Sequence, residues 1–259
     1  MADAQASGAC GSNVVRVQVP FPALDIWKEV LETETSFLFY ASSVFFIVYG
    51  SRAMNACACM KKQMQERKKK MKKLAVIFPG VGYTTDKPLL YYAGKIVKNN
   101  EFDVVKVSYG NLPEGDKMKM FDYAMNAANV AINRVCFENY DKIFFISKSL
   151  GTAVAGTIQK NLPQKVYNIF FTPVTESVPF ICEDSLVFTG SQDPLVHLSD
   201  IMKRREEVKF ELHVAKEADH SLETGDIKKD IMMLNKIEDI CQRYIVDRIK
   251  EDEEKEECE

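Results

Sequence analysis

From Leu74 onward, short apolar runs alternate with segments whose apolar residues recur every three or four positions. The runs 74–78, 104–107, 143–146, 167–171, 186–189 and 209–214 have the length and content of buried strands. Between them, 89–98, 117–138, 152–159 and 199–207 read as helices. The spacing is clearest in 117–138, where Phe121, Ala124, Met125, Ala128, Ile132 and Val135 share one face. A last long helix puts Ile227, Ile231, Leu234, Cys241, Ile245 and Ile249 on its inner side. Strands and helices in strict alternation predict an α/β domain, with a mostly parallel sheet covered by helices on both faces. Ligands of such sheets bind beyond the carboxyl ends of the strands. The loops after Phe78, Ile146, Thr189 and Val214 all lie at that end.

Upstream of Leu74 the pattern breaks. Residues 1–35 are poorly patterned, with weak helical character over 25–34. Residues 36–51 are strongly apolar, and a lysine-rich run occupies 61–73. The apolar block is shorter than the roughly 20 residues a spanning helix needs. It is also a poor secretory signal, since Asp25, Glu29, Glu32 and Glu34 precede it and the positive charge follows. Were it to insert, the lysine run would keep the downstream part in the cytoplasm. Residues 36–51 are therefore a candidate for membrane association, with a packed accessory helix or hairpin as the alternative. The pattern predicts an N-terminal extension over 1–70, an α/β domain over 71–250 and an acidic tail over 251–259.

Composition narrows the partners. The 259 residues leave room for one sizeable domain, and 46% apolar with 27% charged content is ordinary for a globular chain. A net charge of −3 argues against a nucleic-acid surface. Seven cysteines, an odd number without paired spacing apart from Cys57 and Cys59, point to reduced thiols and a cytoplasmic protein. The three histidines, His197, His213 and His220, stand at no ligand spacing from a cysteine pair. No metal and no cofactor is expected.

The chemistry gathers around 143–151. An apolar strand runs into Ser147-Lys148-Ser149-Leu150-Gly151, and a helix rich in small residues (Ala153, Ala155, Gly156) follows. A strand, a sharp turn with a central serine and a slim helix is the pattern that projects a serine hydroxyl above a sheet. A capping role for Ser149 is the plainer alternative. Downstream, Asp193 follows an apolar strand in Gly190-Ser191-Gln192-Asp193-Pro194, where a turn role is the alternative. His220 follows the last strand in Ala218-Asp219-His220-Ser221-Leu222. Asp219 is the weaker acid candidate, because a neighbour in sequence turns its carboxylate towards the ring with difficulty.

Ser147–Gly151, Gly190–Pro194 and Asp219-His220-Ser221 together resemble the α/β-hydrolase superfamily, over about residues 71–250. The likeness is narrower to small lidless members similar to dienelactone hydrolases and acyl-peptidase-like domains. The resemblance implies a serine hydrolase of small esters, thioesters or amides, with Ser149 as nucleophile, His220 as base and Asp193 as orienting acid. It assigns the oxyanion donors to the backbone of Leu150 and of Val81, in the loop Pro79-Gly80-Val81-Gly82. Gly80, Gly82, Tyr83 and Val174 are then expected to border the substrate. Ser147 stands where the family carries a glycine, and Phe78-Pro79-Gly80 where His-Gly is commoner. Dienelactone hydrolases have cysteine at the position of Ser149, so their substrate is not carried over. The stretch 172–185 holds two prolines and is too short for a helical cap, which favours short acyl groups. The competing reading is a non-catalytic interaction module that keeps the hydrolase fold.

Overall fold

All eight residues of strand β3 (Lys142–Ser149) are buried. A strand covered on both faces reads as one apolar run, which is why 143–146 carries no alternation. Along β3, Ile143 and Phe145 point to one face of the sheet, while Phe144 and Ile146 point to the other.

The computed structural model describes residues 71–256. Among them, six parallel strands form one sheet in the order β2-β1-β3-β4-β5-β6. The strands are β1 (Lys73–Phe78), β2 (Asp103–Lys106), β3, β4 (Val166–Pro173), β5 (Leu186–Gly190) and β6 (Glu211–Ala215). The helices are α1 (Pro88–Asn99), α2 (Lys117–Ile132), α3 (Leu150–Gln159), α4 (Leu198–Glu207) and α5 (Ile227–Glu256). Helices α1 and α5 cover one face, packing Leu90, Val97, Ile237 and Tyr244 on Ile77, Phe144 and Ile169. Helices α2 and α3 cover the other, with Ala124, Ala128, Val154 and Ile158 against Val76, Phe78 and Phe145. A third cluster seats Ile201 of α4 against Phe170 and Val187, beside the second.

Each expected element is present, and two boundaries differ by more than three residues. The helix expected over 117–138 ends at Ile132, and the chain makes a separate 3₁₀ turn at Phe137–Asn139. Phe137 is buried edge-on against Phe145, with ring centroids 6.3 Å apart. Reaching that position draws the chain off the helical line. At the other end, α5 continues past residue 250 to Glu256. Between β4 and β5 stands only the 3₁₀ helix Thr175–Phe180, so no lid covers the carboxyl edge there. The apolar block 36–51, the lysines before residue 71 and the Cys57/Cys59 pair lie outside the described residues. Among the described residues no helix is long and apolar enough to cross a membrane.

Candidate active site

Strand β3 ends at Ser149 with φ 52° and ψ −122°. A non-glycine residue at positive φ is uncommon and costs of order 1–3 kcal/mol, so its surroundings must enforce it. Two features do so. The β3–β4 register skips a residue here, stepping from Lys148↔Phe171 to Ser149↔Pro173 and leaving Thr172 unpaired. Helix α3 then crosses the end of β1 at Gly151, where an added Cβ would lie 2.5 Å from the carbonyl oxygens of Phe78 and Pro79. Only glycine fits that crossing. Ser147, the departure from glycine, is fully buried and donates its hydroxyl to the Ile169 carbonyl at 3.4 Å.

The Ser149 hydroxyl does not cap α3. It lies 2.8 Å from His220 Nε2, and His220 Nδ1 lies 2.8 Å from Asp193 Oδ2. A carboxylate can only accept, so the neutral ring carries its proton on Nδ1 and Nε2 accepts from Ser149. The Asp193 side chain has no exposed surface, and its other oxygen accepts the Leu195 N–H at 2.8 Å. Its turn role and its contact with His220 therefore coexist. Gly190 lets β5 approach the histidine loop: a Cβ there would meet the Ala218 and Asp219 carbonyl oxygens at 2.2 and 2.4 Å. Asp219 is not a hydrogen-bond partner of the ring, whose two nitrogens face Asp193 and Ser149. Its Oδ1 accepts the N–H groups of Ser221 and Glu223 and so closes the loop on itself.

Beside Ser149 lies a cleft of about 490 Å³. Val81 and Leu150 border it, with Met118, Phe121, Ala153, Thr157, Val174 and Phe180. Leu150 opens α3, so its N–H has no acceptor within the helix. Val81 sits at the tip of a tight turn closed by Gly80 N–H to the Tyr83 carbonyl at 2.9 Å. Its own N–H has no partner among the described residues.

No family model and no curated protein matches the sequence. Solved structures do. Est1E from Butyrivibrio proteoclasticus superimposes with a TM-score of 0.51 at 10% identity, over 71% of this chain and 91% of its own. A protein of unknown function from Agrobacterium tumefaciens, assigned to the α/β hydrolases, gives 0.51 at 14% identity, over 71% and 88%. The chain has the α/β-hydrolase fold. At identities this low the likeness is one of fold, and the chemistry rests on the residues themselves.

On this α/β-hydrolase scaffold the expected site residues divide. Ser149, Asp193 and His220 come together in hydrogen-bonded contact, and Val81, Leu150 and Val174 share the cleft beside them. Gly80 and Gly82 do not line the cleft. Gly80 packs under Ser149, where an added Cβ would stand 3.1 Å from the serine Cβ, and Gly82 supplies the turn's positive φ of 66°. Tyr83, also expected at the substrate, is not among the residues that border this cleft. Its hydroxyl accepts the Leu89 N–H at 3.1 Å, and its ring lines a separate cavity of about 300 Å³ behind the histidine loop. Burial there raises its phenol to about 12.

Two contributors escaped the sequence reading. The first turns of α2 bring Lys117, Met118, Met120 and Phe121 to the cleft, although their spacing marked them only as helix. Lys148 is the other. It is 1% exposed, and its Nζ donates to Thr172 Oγ1 at 2.6 Å and to the His220 carbonyl at 2.7 Å. Burial pushes its amine down to about 8, against a weaker upward pull from Asp193, Asp219 and Glu223. The one sequence signal was a lysine two residues after the apolar run 143–146, where an apolar residue would be ordinary.

Proposed function

We propose that this chain is a serine hydrolase that cleaves small ester or thioester bonds through an acyl-enzyme intermediate on Ser149. The observation that carries the reading is the continuous contact from Ser149 Oγ through His220 to Asp193, at 2.8 Å for each step. A serine hydroxyl needs a base to remove its proton, and the base needs a partner that fixes its tautomer. His220 Nε2 takes the Ser149 proton as Oγ attacks the acyl carbonyl, and Asp193 stabilises the imidazolium that forms. The carbonyl oxygen becomes an oxyanion facing the N–H groups of Leu150 and Val81. The bond to the leaving group then breaks as His220 returns the proton to it. Water repeats the sequence, with His220 again as base, and frees the acid from Ser149. A purely binding module has no need of a serine held at positive φ against a histidine, which favours catalysis over the interaction reading.

Labelling with a fluorophosphonate probe tests this directly. The probe is expected to modify the wild-type protein at one residue and to leave Ser149→Ala unmodified. Absence of labelling in the wild type, or equal labelling of the variant, would overturn the reading.

The cleft also sets an expected chain-length profile. It follows α3 from Ser149 to Thr157, a span of about 12 Å at 1.5 Å per residue. Each methylene placed inside contributes at most about 0.8 kcal/mol, roughly fourfold in kcat/KM. With no lid to cover what extends beyond, further methylenes stay in water. Across p-nitrophenyl esters from acetate to palmitate, kcat/KM should rise while the acyl chain fits this span and then flatten or fall. A rise continuing to palmitate, or abrupt activation at a lipid interface, would contradict the uncovered cleft.

A further inference from the structure

The residue preceding the serine is buried, charged at neutral pH and unused by the chemistry above. Burying an ammonium is costly unless it is well bonded, and a methionine would fill the same space at no such cost. Lys148 is bonded to two neutral oxygens, the Thr172 hydroxyl and the His220 carbonyl, and lies 5.0 Å from the centre of the Tyr83 ring. No carboxylate bonds it directly among the described residues; Asp193, Asp219 and Glu223 act on it through space. Those bonds sit at two strained places. Thr172 is the residue skipped by the β3–β4 register, with φ 42°, an outlier conformation for a β-branched side chain. The histidine loop carries positive φ at two non-glycine residues, Glu217 (62°) and Leu222 (61°), so its course depends on tethers from outside. One tether is Gln192 N–H to the Ala218 carbonyl at 2.9 Å; Lys148 supplies the one that reaches the His220 backbone.

We propose that Lys148 is a positioning residue, which clamps the His220 backbone and the Thr172 bulge to the end of β3 and so holds the imidazole between Ser149 and Asp193. The proposal rests on the reading of those three residues as the reacting set. The clamp works through geometry rather than charge. A neutral amine keeps two N–H donors, enough for both bonds, so deprotonation of Lys148 does not release the loop. Loss of the side chain's donors does. A displacement of about 1 Å at a proton-transferring group costs up to about a hundredfold in rate.

The test uses the full chain with isotope-labelled histidine, since three histidines make the ring signals assignable. The readouts are the downfield Nδ1–H resonance of His220, identified by its loss in Asp193→Asn, and the kinetics of fluorophosphonate labelling. In Lys148→Met the resonance should broaden away, and the maximal labelling rate should fall at least about tenfold with the probe's half-saturation concentration little changed. Thr172→Val removes one of the two acceptors while preserving side-chain shape. It should shift the resonance and slow labelling about threefold, and should add nothing in the Lys148→Met background. A sharp resonance and an undiminished labelling rate in Lys148→Met would overturn the proposal. Should that variant fail to fold, Thr172→Val decides alone, an unchanged resonance overturning the clamp. If the wild type takes no label, the hydrolase reading fails, and the resonance in the two variants still decides for or against Lys148.

Discussion

Asp193→Asn is expected to lower the turnover of ester substrates by about 10⁴-fold while the fold stays intact. The amide can keep one oxygen towards the Leu195 N–H, which Asp193 Oδ1 now accepts at 2.8 Å. Its other arm is then an NH₂ group facing His220 Nδ1. A donor there forces Nδ1 to accept, which puts the ring proton on Nε2. That nitrogen can no longer take the proton of Ser149, and the imidazolium loses its buried counter-charge. Asp219→Asn should cost no more than a few-fold, because both N–H groups that Asp219 binds go to a single oxygen, which asparagine retains. Turnover and thermal melts of the two variants give the comparison. A large loss in Asp219→Asn with little in Asp193→Asn would reverse the assignment of the acid.

The parts of this site that were legible in the sequence are those written in backbone constraints. Gly151 and Gly190 stand where no side chain fits, and each lies within a few residues of a chemically active group. The strands were legible for a related reason: a parallel strand buried on both faces carries a run of apolar residues, as Ile143, Phe144, Phe145 and Ile146 of β3 do. Side-chain direction was not legible in the same way. Tyr83 closes the turn after β1, two residues past Val81, and nothing local shows that its hydroxyl is drawn to the Leu89 N–H at the start of α1. Met118 and Phe121 read as ordinary helix residues because periodicity reports a face, and the cleft lies at that helix's end. Lys148 was hidden most deeply. Its partners are 24 and 72 residues away, on β4 and on the histidine loop, and only the register skip at Thr172 brings them together.

Stability should fall as pH rises from about 4.5 to about 8, and Glu238 is the principal cause. Glu238 lies on α5 with both carboxyl oxygens buried and without hydrogen-bond partners among the described residues. Burial raises it from 4.5 to about 8. Between those values the folded chain holds a proton that the unfolded chain has released, so each rise in pH favours unfolding. The contribution is fully present below 4.5 and is lost as pH passes 8. Lys148 acts in the opposite sense over the next interval. Its amine is lowered from 10.5 to about 8, so above 8 the unfolded chain holds the extra proton and rising pH favours folding. Above 9 the buried Cys241 thiol, also pushed up by burial, opposes that gain. The clean interval is therefore pH 5–8, and Glu238→Met isolates the cause. Methionine has nearly the same length, carries no proton and leaves no buried acceptor unpaired. In urea denaturation at pH 5, 6.5 and 8, the variant should gain on the wild type progressively, by of order 3 kcal/mol more at pH 8 than at pH 5. A stability difference that stays constant across those three values would show that Glu238 reaches water and titrates as an ordinary carboxylate.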